Sequence, residues 1–233
     1  MARDLFSDRR EAARVLDDLR MRGVNYDAAH ANGFRVEDGW RIDDYRQDLP
    51  DEQPGPPSEG GSWTKARDLL REYEFVDPAI VRALFRTDEP LNGRTMIFEL
   101  RFWGLRFHVG VRVVAVTNAT RMEDGRHTAV WGWSYRTLEG HLEAGQMDYE
   151  VRKWFDTGEV EFRIHAYSRA AHIPNPFVRL GHRVFGRREQ TKFARNACER
   201  MRRLVEAELA GDGPRSRPDE PGRMVLRPSG AIS

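Results

Sequence analysis

The change of hydrophobic period near Arg94 constrains the fold of this chain more than any other feature. Before it, apolar residues recur three or four positions apart, as at Ala12, Leu16 and Leu19. After it, apolar and polar residues alternate, as in the run that begins at Met96. A period of about 3.6 residues indicates amphipathic helices, whereas alternation indicates strands with one buried face. The sequence therefore predicts an N-terminal helical region followed by a sheet.

The alternating region predicts five strands, over residues 96–102, 107–115, 129–135, 147–151 and 160–167. Two of the breaks between them carry the hairpin signals Glu123-Asp124-Gly125 and Asp156-Thr157-Gly158. An acidic residue close to a Gly is typical of tight turns between antiparallel strands. The region is therefore expected to form one antiparallel sheet.

Helices are predicted both before and after the strands along the chain. Asp8 followed by Glu11 matches a capping box, and the helix that it starts is expected to end at Gly23. A second helix is expected from Ser62, and the cap-then-proline pattern at Asp77-Pro78 predicts a third, short one. A long amphipathic helix is predicted over residues 187–210.

Two segments lack the pattern of regular structure. Residues 48–62 contain four prolines and three glycines, which predicts a surface loop. Residues 211–233 combine prolines and charges with little apolar surface to bury, which predicts a disordered tail. We therefore expect a single α+β domain over residues 1–210.

The order of the elements favours few folds. Short helices, hairpin-connected strands and one long C-terminal helix predict an α+β fold with a curved antiparallel sheet packed on that helix. The leading candidate is the helix-grip arrangement (START/Bet v 1-like), in which a cavity between sheet and helix admits small or apolar ligands. The alternative is a closed α+β sandwich without a cavity.

Charge and composition exclude several classes of protein. The 233 residues carry a net charge of +1, which gives no broad attraction to nucleic acid or to anionic membranes. No uncharged run approaches the roughly 18 residues that a membrane span needs, and the N-terminus lacks a signal-like apolar stretch. Cys198, the only cysteine, excludes an internal disulfide and a multi-cysteine zinc site. We expect a cytoplasmic protein.

The linker between the third and fourth strands is the densest candidate site. Its roughly ten residues exceed what a hairpin needs and mix acid, base and hydrogen-bonding groups, a composition typical of binding loops. His141 and Glu143 are two positions apart and would point the same way in an extended chain, which predicts a catalytic acid–base pair. The alternative is a histidine that hydrogen-bonds to the loop backbone.

Several segments of the chain resemble the domain of unknown function 1990 family, also called uncharacterised protein family 0548. The resemblance covers residues 35–207, and the residues that carry it are Tyr135-Arg136-Thr137-Leu138, Gly140-His141, Glu143-Ala144-Gly145, residues 160–169 and residues 188–193. The family brings no established activity, so the resemblance implies a fold and not a reaction.

A ligand site is predicted where the linker meets the polar face of the last strand. We expect its mouth to be lined by Trp133, Tyr135, Arg136, Thr137, Gln146, Arg163, His165 and Tyr167. These residues contain no tight ligand motif for a metal ion, and nothing in the sequence calls for a cofactor.

A basic segment offers a different kind of function. Residues 179–203 contain nine basic and two acidic side chains, a pattern compatible with phosphate backbones or an anionic surface. Aromatic residues for base stacking are not interleaved with these arginines, which makes nucleic acid the less favoured partner. Three hypotheses therefore stand: a binding domain for a small apolar or amphipathic ligand, an enzyme using His141 and Glu143 on that ligand, and an interaction protein using the basic helix. The sequence does not indicate the oligomeric state.

Overall fold

A computed structural model describes residues 5–29, 34–102, 105–171, 176–213 and 222–229, with the backbone alone at 102 and 176–189. Short 3-10 turns lie at Leu5–Ser7 and Val36–Asp38. The described residues form three α-helices, namely α1 (Arg9–Met21), α2 (Ser62–Arg71) and α3 (Pro176–Ala210). The strands are β1 (Arg41–Leu49), β2 (Val81–Arg86), β3 (Thr95–Phe102), β4 (Leu105–Glu123), β5 (Arg126–Thr137), β6 (Glu143–Trp154), β7 (Val160–Ala170) and β8 (Met224–Arg227). Among these described elements, no helix is long and apolar enough to cross a membrane.

All eight strands belong to one antiparallel sheet, in the order β1-β7-β6-β5-β4-β3-β2-β8. One face, here called the inner face, packs against α2 and the second half of α3. The apolar side chains that alternate along the strands meet those of α3, such as Ala197, Met201 and Leu204, in a single core. The predicted α+β helix-grip architecture is therefore confirmed.

Helix α1 covers part of the opposite face, here called the outer face. The Asp8 side chain accepts hydrogen bonds from the backbone N–H groups of Arg10 and Glu11, so the predicted cap is confirmed. Leu16 and Leu19 then pack with Leu84 and Ile97 of the sheet. Gly110 permits this approach, because a Cβ there would lie 2.3 Å from a methyl carbon of Leu19.

β1 and β2 are present where the sequence analysis predicted no strand. Residues 77–80 form a turn and not a short helix, since the Asp77 carbonyl accepts hydrogen bonds from both Ile80 and Val81 and the chain continues as β2. β1 occupies the sheet edge, and its side chains alternate only between half-buried and exposed until Leu49. A weakly amphipathic edge strand gives a weak signal, which is why β1 was missed.

The proline-rich loop is fastened to the sheet, and it is shorter than predicted because Asp48 and Leu49 belong to β1 and Ser62 to α2. Lys153, fully buried on β6, donates to a Glu52 side-chain oxygen at 2.6 Å and to the Pro56 carbonyl at 3.0 Å. Glu52 also accepts a hydrogen bond from the backbone N–H of Trp63, in the first turn of α2. The loop thereby positions α2 over the inner face.

The expectation of a disordered tail is wrong for residues 224–227. They form β8, which pairs with β2 from Met224 opposite Arg86 to Arg227 opposite Ala83. The buried Glu74 carboxylate accepts from the backbone N–H and the hydroxyl of Ser229 just beyond the strand. Residues 224–229 are therefore ordered by the edge of β2 and by the Glu74 carboxylate, two partners that are distant along the chain and that the composition of the segment does not reveal.

Candidate functional site

Strand alternation divides the predicted site residues between the two faces of the sheet. Trp133 and Tyr135 point to the inner face, toward α2 and α3. The other face carries Arg136, Gln146, Arg163, His165 and Tyr167, which contact one another or outer-face partners. The structure therefore does not bring the predicted residues together around one mouth. It presents two separate groups, one on each face.

The inner group is an aromatic cluster that the sequence analysis only partly identified. Tyr73, which follows α2, and Tyr149 on β6 join Tyr135 to form what we call the interior tyrosine cluster. The Tyr149 ring centroid lies 6.0 Å from that of Tyr135 and 6.5 Å from that of Tyr73. The cluster is enclosed by further rings, those of Phe75, Phe98, Trp133 and Phe162.

The hydroxyl groups of this cluster are buried without adequate partners. Those of Tyr73 and Tyr149 have no hydrogen-bond partner of good geometry among the described residues, although both side chains are fully buried. The Tyr135 hydroxyl lies 3.6 Å from the Met147 sulfur and also close to the Tyr149 hydroxyl. Burial raises the pKa of all three phenols, and the mutual proximity of Tyr73, Tyr135 and Tyr149 raises that of Tyr149 further. The cluster therefore consists of neutral donors in an apolar interior.

Trp133 is a packing residue next to the cluster. Its side chain is 2% exposed, and its indole N–H donates to the Leu70 carbonyl at the end of α2, at 3.2 Å. A buried indole with its one donor satisfied is typical of a core position. Trp133 therefore fixes α2 against β5, and the open hydrogen-bonding capacity lies at the tyrosines.

Glu143 lies at the inner edge of the sheet, near the cluster. The Gln190 side chain on α3 donates to the Glu143 carboxylate and, at 3.2 Å, to the Ser168 hydroxyl. Arg41 of β1 in turn donates to Gln190 at 3.5 Å. Glu143 is also close enough to Tyr135 to contribute to the raised pKa of that phenol, after burial itself. These contacts form a polar border between the tyrosine cluster and solvent.

His141 and Thr137 take part in the hydrogen bonding of the linker itself. The linker is five residues long, from 138 to 142, because β6 begins at Glu143 and not at Met147. The His141 Nδ1 accepts a hydrogen bond from the Glu143 backbone N–H at 2.9 Å. The Thr137 hydroxyl lies between the Asn25 side chain and both backbone groups of Gly145. This observed His141 contact corresponds to the backbone-bonding alternative for the histidine.

The outer group forms a continuous chain of hydrogen bonds, here called the outer-face network. Arg136 Nε donates to Gln146 Oε1 at 2.9 Å, and Gln146 Nε2 donates to Asp148 Oδ1 at 2.7 Å. Asp148 Oδ2 lies 3.2 Å from His165 Nδ1. The Tyr167 hydroxyl also donates to Gln146, at 2.9 Å, and the two tyrosine hydroxyls at 26 and 167 lie 3.2 Å apart.

The charges within this network stabilise one another. The hydrogen bond to Asp148 raises the pKa of His165 above its ordinary value, against the effect of burial. Burial opposes the charge on Asp148, but hydrogen bonds from His165, Ser134 and Gln146 hold the pKa of that carboxyl below its usual range. Arg163 stands beside the network in an ion pair with Asp44 of β1. The arrangement is that of an imidazole oriented by a carboxylate.

Two other candidate features have plain structural descriptions. Cys198 is buried among the α3 core residues, and burial raises the pKa of its thiol to about 12, which leaves it protonated and unreactive. Across the described ranges, no three His, Cys, Asp or Glu side chains come together as metal ligands. The side chains of Arg179, Arg183, Arg187 and Arg188, four of the nine basic residues in the segment 179–203, lie outside the described residues.

Sequence reasoning missed Tyr149, Tyr73 and Asp148 as site residues. Alternation along β6 could have predicted the faces of Tyr149 and Asp148. Tyr149 shares a face with Met147, and Asp148 shares the other face with Gln146. Tyr73 follows α2, and only tertiary packing places it beside β6. The pairing of Asp148 with His165 depends on the register between β6 and β7, which no local pattern encodes.

Comparison with known sequences identifies one family. The sequence profile of the family described as a domain of unknown function, DUF1990, matches residues 25–200. No curated protein sequence shows significant similarity to the chain.

Similar solved structures include a START superfamily protein from Mycobacterium smegmatis, 8% identical, with a TM-score of 0.42 over 71% of this chain and 97% of that one. Norcoclaurine synthase from Thalictrum flavum is 9% identical, with a TM-score of 0.43 over 72% and 94%. Major latex-like protein 151 from Panax ginseng is 10% identical, with a TM-score of 0.39 over 71% and 97%.

Proposed function

The chain belongs to the DUF1990 family, a domain of unknown function, and we propose that it binds a small apolar or amphipathic molecule between the inner face of its sheet and α3. The interior tyrosine cluster is the proposed recognition site for the polar atom of that molecule. Aromatic rings would enclose its apolar part, while the phenol hydroxyls would donate to a carbonyl or a comparable acceptor.

The observation that carries the proposal is the pair of buried hydroxyls on Tyr73 and Tyr149, which have no hydrogen-bond partner of good geometry among the described residues. Burying a hydroxyl without a hydrogen bond costs about 1–3 kcal/mol on the scale of protein mutations, so folded proteins rarely retain such groups without a purpose. Phenylalanine would fill both positions without that penalty. Two neighbouring donors of this kind are what a site for an oxygen acceptor requires.

The surroundings of the cluster support the same function. Raised pKa values keep the phenols neutral, so that they act as donors throughout the physiological range. The polar border of Glu143, Gln190, Ser168 and Arg41 lies at the sheet edge beside the cluster. A mostly apolar interior with a few convergent polar groups is the usual composition of a small-molecule site.

Two probes of almost identical shape test the proposal. Acetophenone has a carbonyl oxygen where cumene has a methyl group, so their difference isolates the hydrogen bond. Both are added to the wild type while the Trp133 indole N–H resonance and the thermal midpoint are followed. We expect saturable shifts and stabilisation with both probes, and binding about three- to tenfold tighter for acetophenone, the worth of one or two neutral hydrogen bonds.

Substitution of Tyr149 shows whether the cluster is responsible. Tyr149→Phe is expected to remove most of the preference for acetophenone while leaving cumene binding within about twofold, because only the hydroxyl is lost. Tyr45→Phe, the same change on β1 and outside the cluster, is the matched control. Failure of both probes to shift Trp133 or the midpoint at solubility would overturn the binding proposal. An equal preference for acetophenone in Tyr149→Phe would overturn the role of the cluster.

A further inference from the structure

The outer face presents chemistry that the interior site does not use. Strand register places its side chains in rows that run across the sheet. In one row, His165 lies opposite Asp148 on β6 and opposite Asp44 on β1. In the next row, Tyr167 lies opposite Gln146, which lies opposite Arg136 on β5.

Arg136 differs from Arg121 and Arg163 on the same face in having no acidic partner among the described residues. It is half-buried and donates through Nε to the neutral Gln146, and within the described part of the chain it forms no ion pair. Its neighbour Arg112 donates to three carbonyl oxygens at the end of α1, and Arg163 is paired with Asp44. A partly desolvated guanidinium without a carboxylate is most stable beside an anion.

His165 offers a second donor on the same surface. Its Nδ1 is held by Asp148, whereas its Nε2 has no hydrogen-bond partner among the residues that the structure describes. The acidic groups facing it are Asp148 and Asp44, and Arg163 is the nearby cation on its own strand. Asp44 is engaged by Arg163 and Arg46, while Glu150 is engaged by Arg121 and Arg152.

The spacing of the two donors fits one small anion. Arg136 is anchored over Gln146 and His165 over Asp148, and these two β6 residues are one alternation apart. Positions i and i+2 of a strand are separated by about 7 Å, so a guanidinium and an imidazolium above them can both donate to one oxyanion. The Asp148 carboxylate is occupied at both oxygens by Gln146 and His165, which reduces its repulsion of such a ligand.

We infer that the outer face carries a second binding site, in which Arg136 and His165 hold a small oxyanion of the phosphate or carboxylate type. Arg136 supplies the permanent charge. His165, oriented by Asp148, supplies a donor that is present when its ring is protonated. The Tyr26–Tyr167 pair completes the border of the network next to Gln146. The site is independent of the interior tyrosine cluster, because the two lie on opposite faces.

Inorganic phosphate and acetate, each titrated at constant ionic strength maintained with NaCl, test the site in the full-length protein. The imidazole resonances of His165, assigned with His165→Gln, report binding. We expect a saturable shift near pH 6 that weakens as the pH rises past the protonation of the ring. Saturation by phosphate alone would identify a phosphoryl ligand, by acetate alone a carboxylate ligand, and by both a general oxyanion site.

Variants separate a built site from a diffuse electrostatic field. Arg136→Gln is expected to weaken phosphate binding about tenfold, and Arg136→Lys, which keeps the charge, by no more than about threefold. Arg121→Gln on the same face removes a guanidinium that is already paired with carboxylates, and should change the affinity less than twofold. The near-ultraviolet circular dichroism of the tryptophans checks folding of each variant. Shifts no larger than those with NaCl, or equal losses in Arg136→Gln and Arg121→Gln, would overturn the site.

Discussion

The interior tyrosine cluster and the outer-face network use alternate residues of the same strands, and their hydrogen bonding differs. Tyr149 is fully buried, and its hydroxyl has no good partner in the described structure. Its neighbour Asp148 points the other way and is bonded at both oxygens, although it is partly exposed. Native proteins usually satisfy buried polar groups more completely than exposed ones.

In this sheet the buried hydroxyls lack good partners among the described residues, whereas the partly exposed polar groups are bonded. The two faces therefore differ in whether their polar groups favour stability or ligand binding. A satisfied and partly exposed network is maintained at little energetic cost, so its presence alone says little about function. Buried hydroxyls without partners reduce stability and are retained where they serve a ligand. The comparison therefore gives the interior the stronger evidence for binding. The outer face has its own evidence in Arg136, which forms no ion pair with any described residue.

The largest expected effect concerns packing next to the cluster. Trp133→Ala should lower the free energy of unfolding by about 3–5 kcal/mol, because it removes a buried ring and the hydrogen bond to Leu70. Ser134→Ala, one residue along and on the outer face, should cost less than about 1 kcal/mol. Urea midpoints at unchanged m-values measure both. A Trp133→Ala loss below about 2 kcal/mol would contradict a tightly packed interior at this position.

The sheet and its main helices could be predicted from the sequence because their signals are local. The Asp8 cap, the alternation from Met96 onward and the Asp124-Gly125 turn each depend on neighbouring residues, and the structure has all three. Asp124 and Gly125 both adopt positive φ angles, the conformation that a two-residue hairpin turn requires.

The features that could not be predicted from the sequence depend on partners that are distant along the chain. β8 forms because β2 offers a free edge, and Tyr73 meets Tyr149 because α2 packs across β6. The division of the site between two faces was only partly accessible. Alternation along β5 predicts that Tyr135 and Arg136 lie on opposite faces of the sheet. Whether His165 shares a face with Tyr135 or with Arg136 depends on the registers of β5 with β6 and of β6 with β7.

Replacing a tyrosine by phenylalanine should change the free energy of unfolding in opposite directions on the two faces of the sheet. Tyr149→Phe should raise the stability of the protein without ligand by about 1–2 kcal/mol, because it removes a buried donor that has no good partner among the described residues. Tyr167→Phe should lower stability by about 1 kcal/mol, since its hydroxyl donates to Gln146 and meets Tyr26. Parallel urea titrations compare the two. Destabilisation by Tyr149→Phe would show that its hydroxyl is satisfied in solution and would remove the main support for the interior site.

The smallest expected effect is the pH dependence of the outer-face pair. The pKa of His165 is raised in the folded state, so its contribution is complete below the ordinary value of 6.5 and is lost as the pH rises through the folded value. The pKa of Asp148 is lowered, so its contribution is complete above 3.8 and is lost as the pH falls. The stability difference between the wild type and His165→Gln should therefore be greatest between these two values.

The difference should stay below about 1 kcal/mol, because the His165 side chain is 36% exposed and solvent screens the pair. Urea midpoints at pH 5.5 and pH 9, set on either side of the ordinary histidine pKa of about 6.5, measure it. In an Asp148→Asn background the same His165→Gln change should show a smaller pH dependence, since the β6 carboxylate is gone and only Asp44 remains opposite the ring. A difference that grows toward pH 9 would mean that the neutral imidazole is the form that the network stabilises. The outer-face site would then lose the second donor on which oxyanion binding depends.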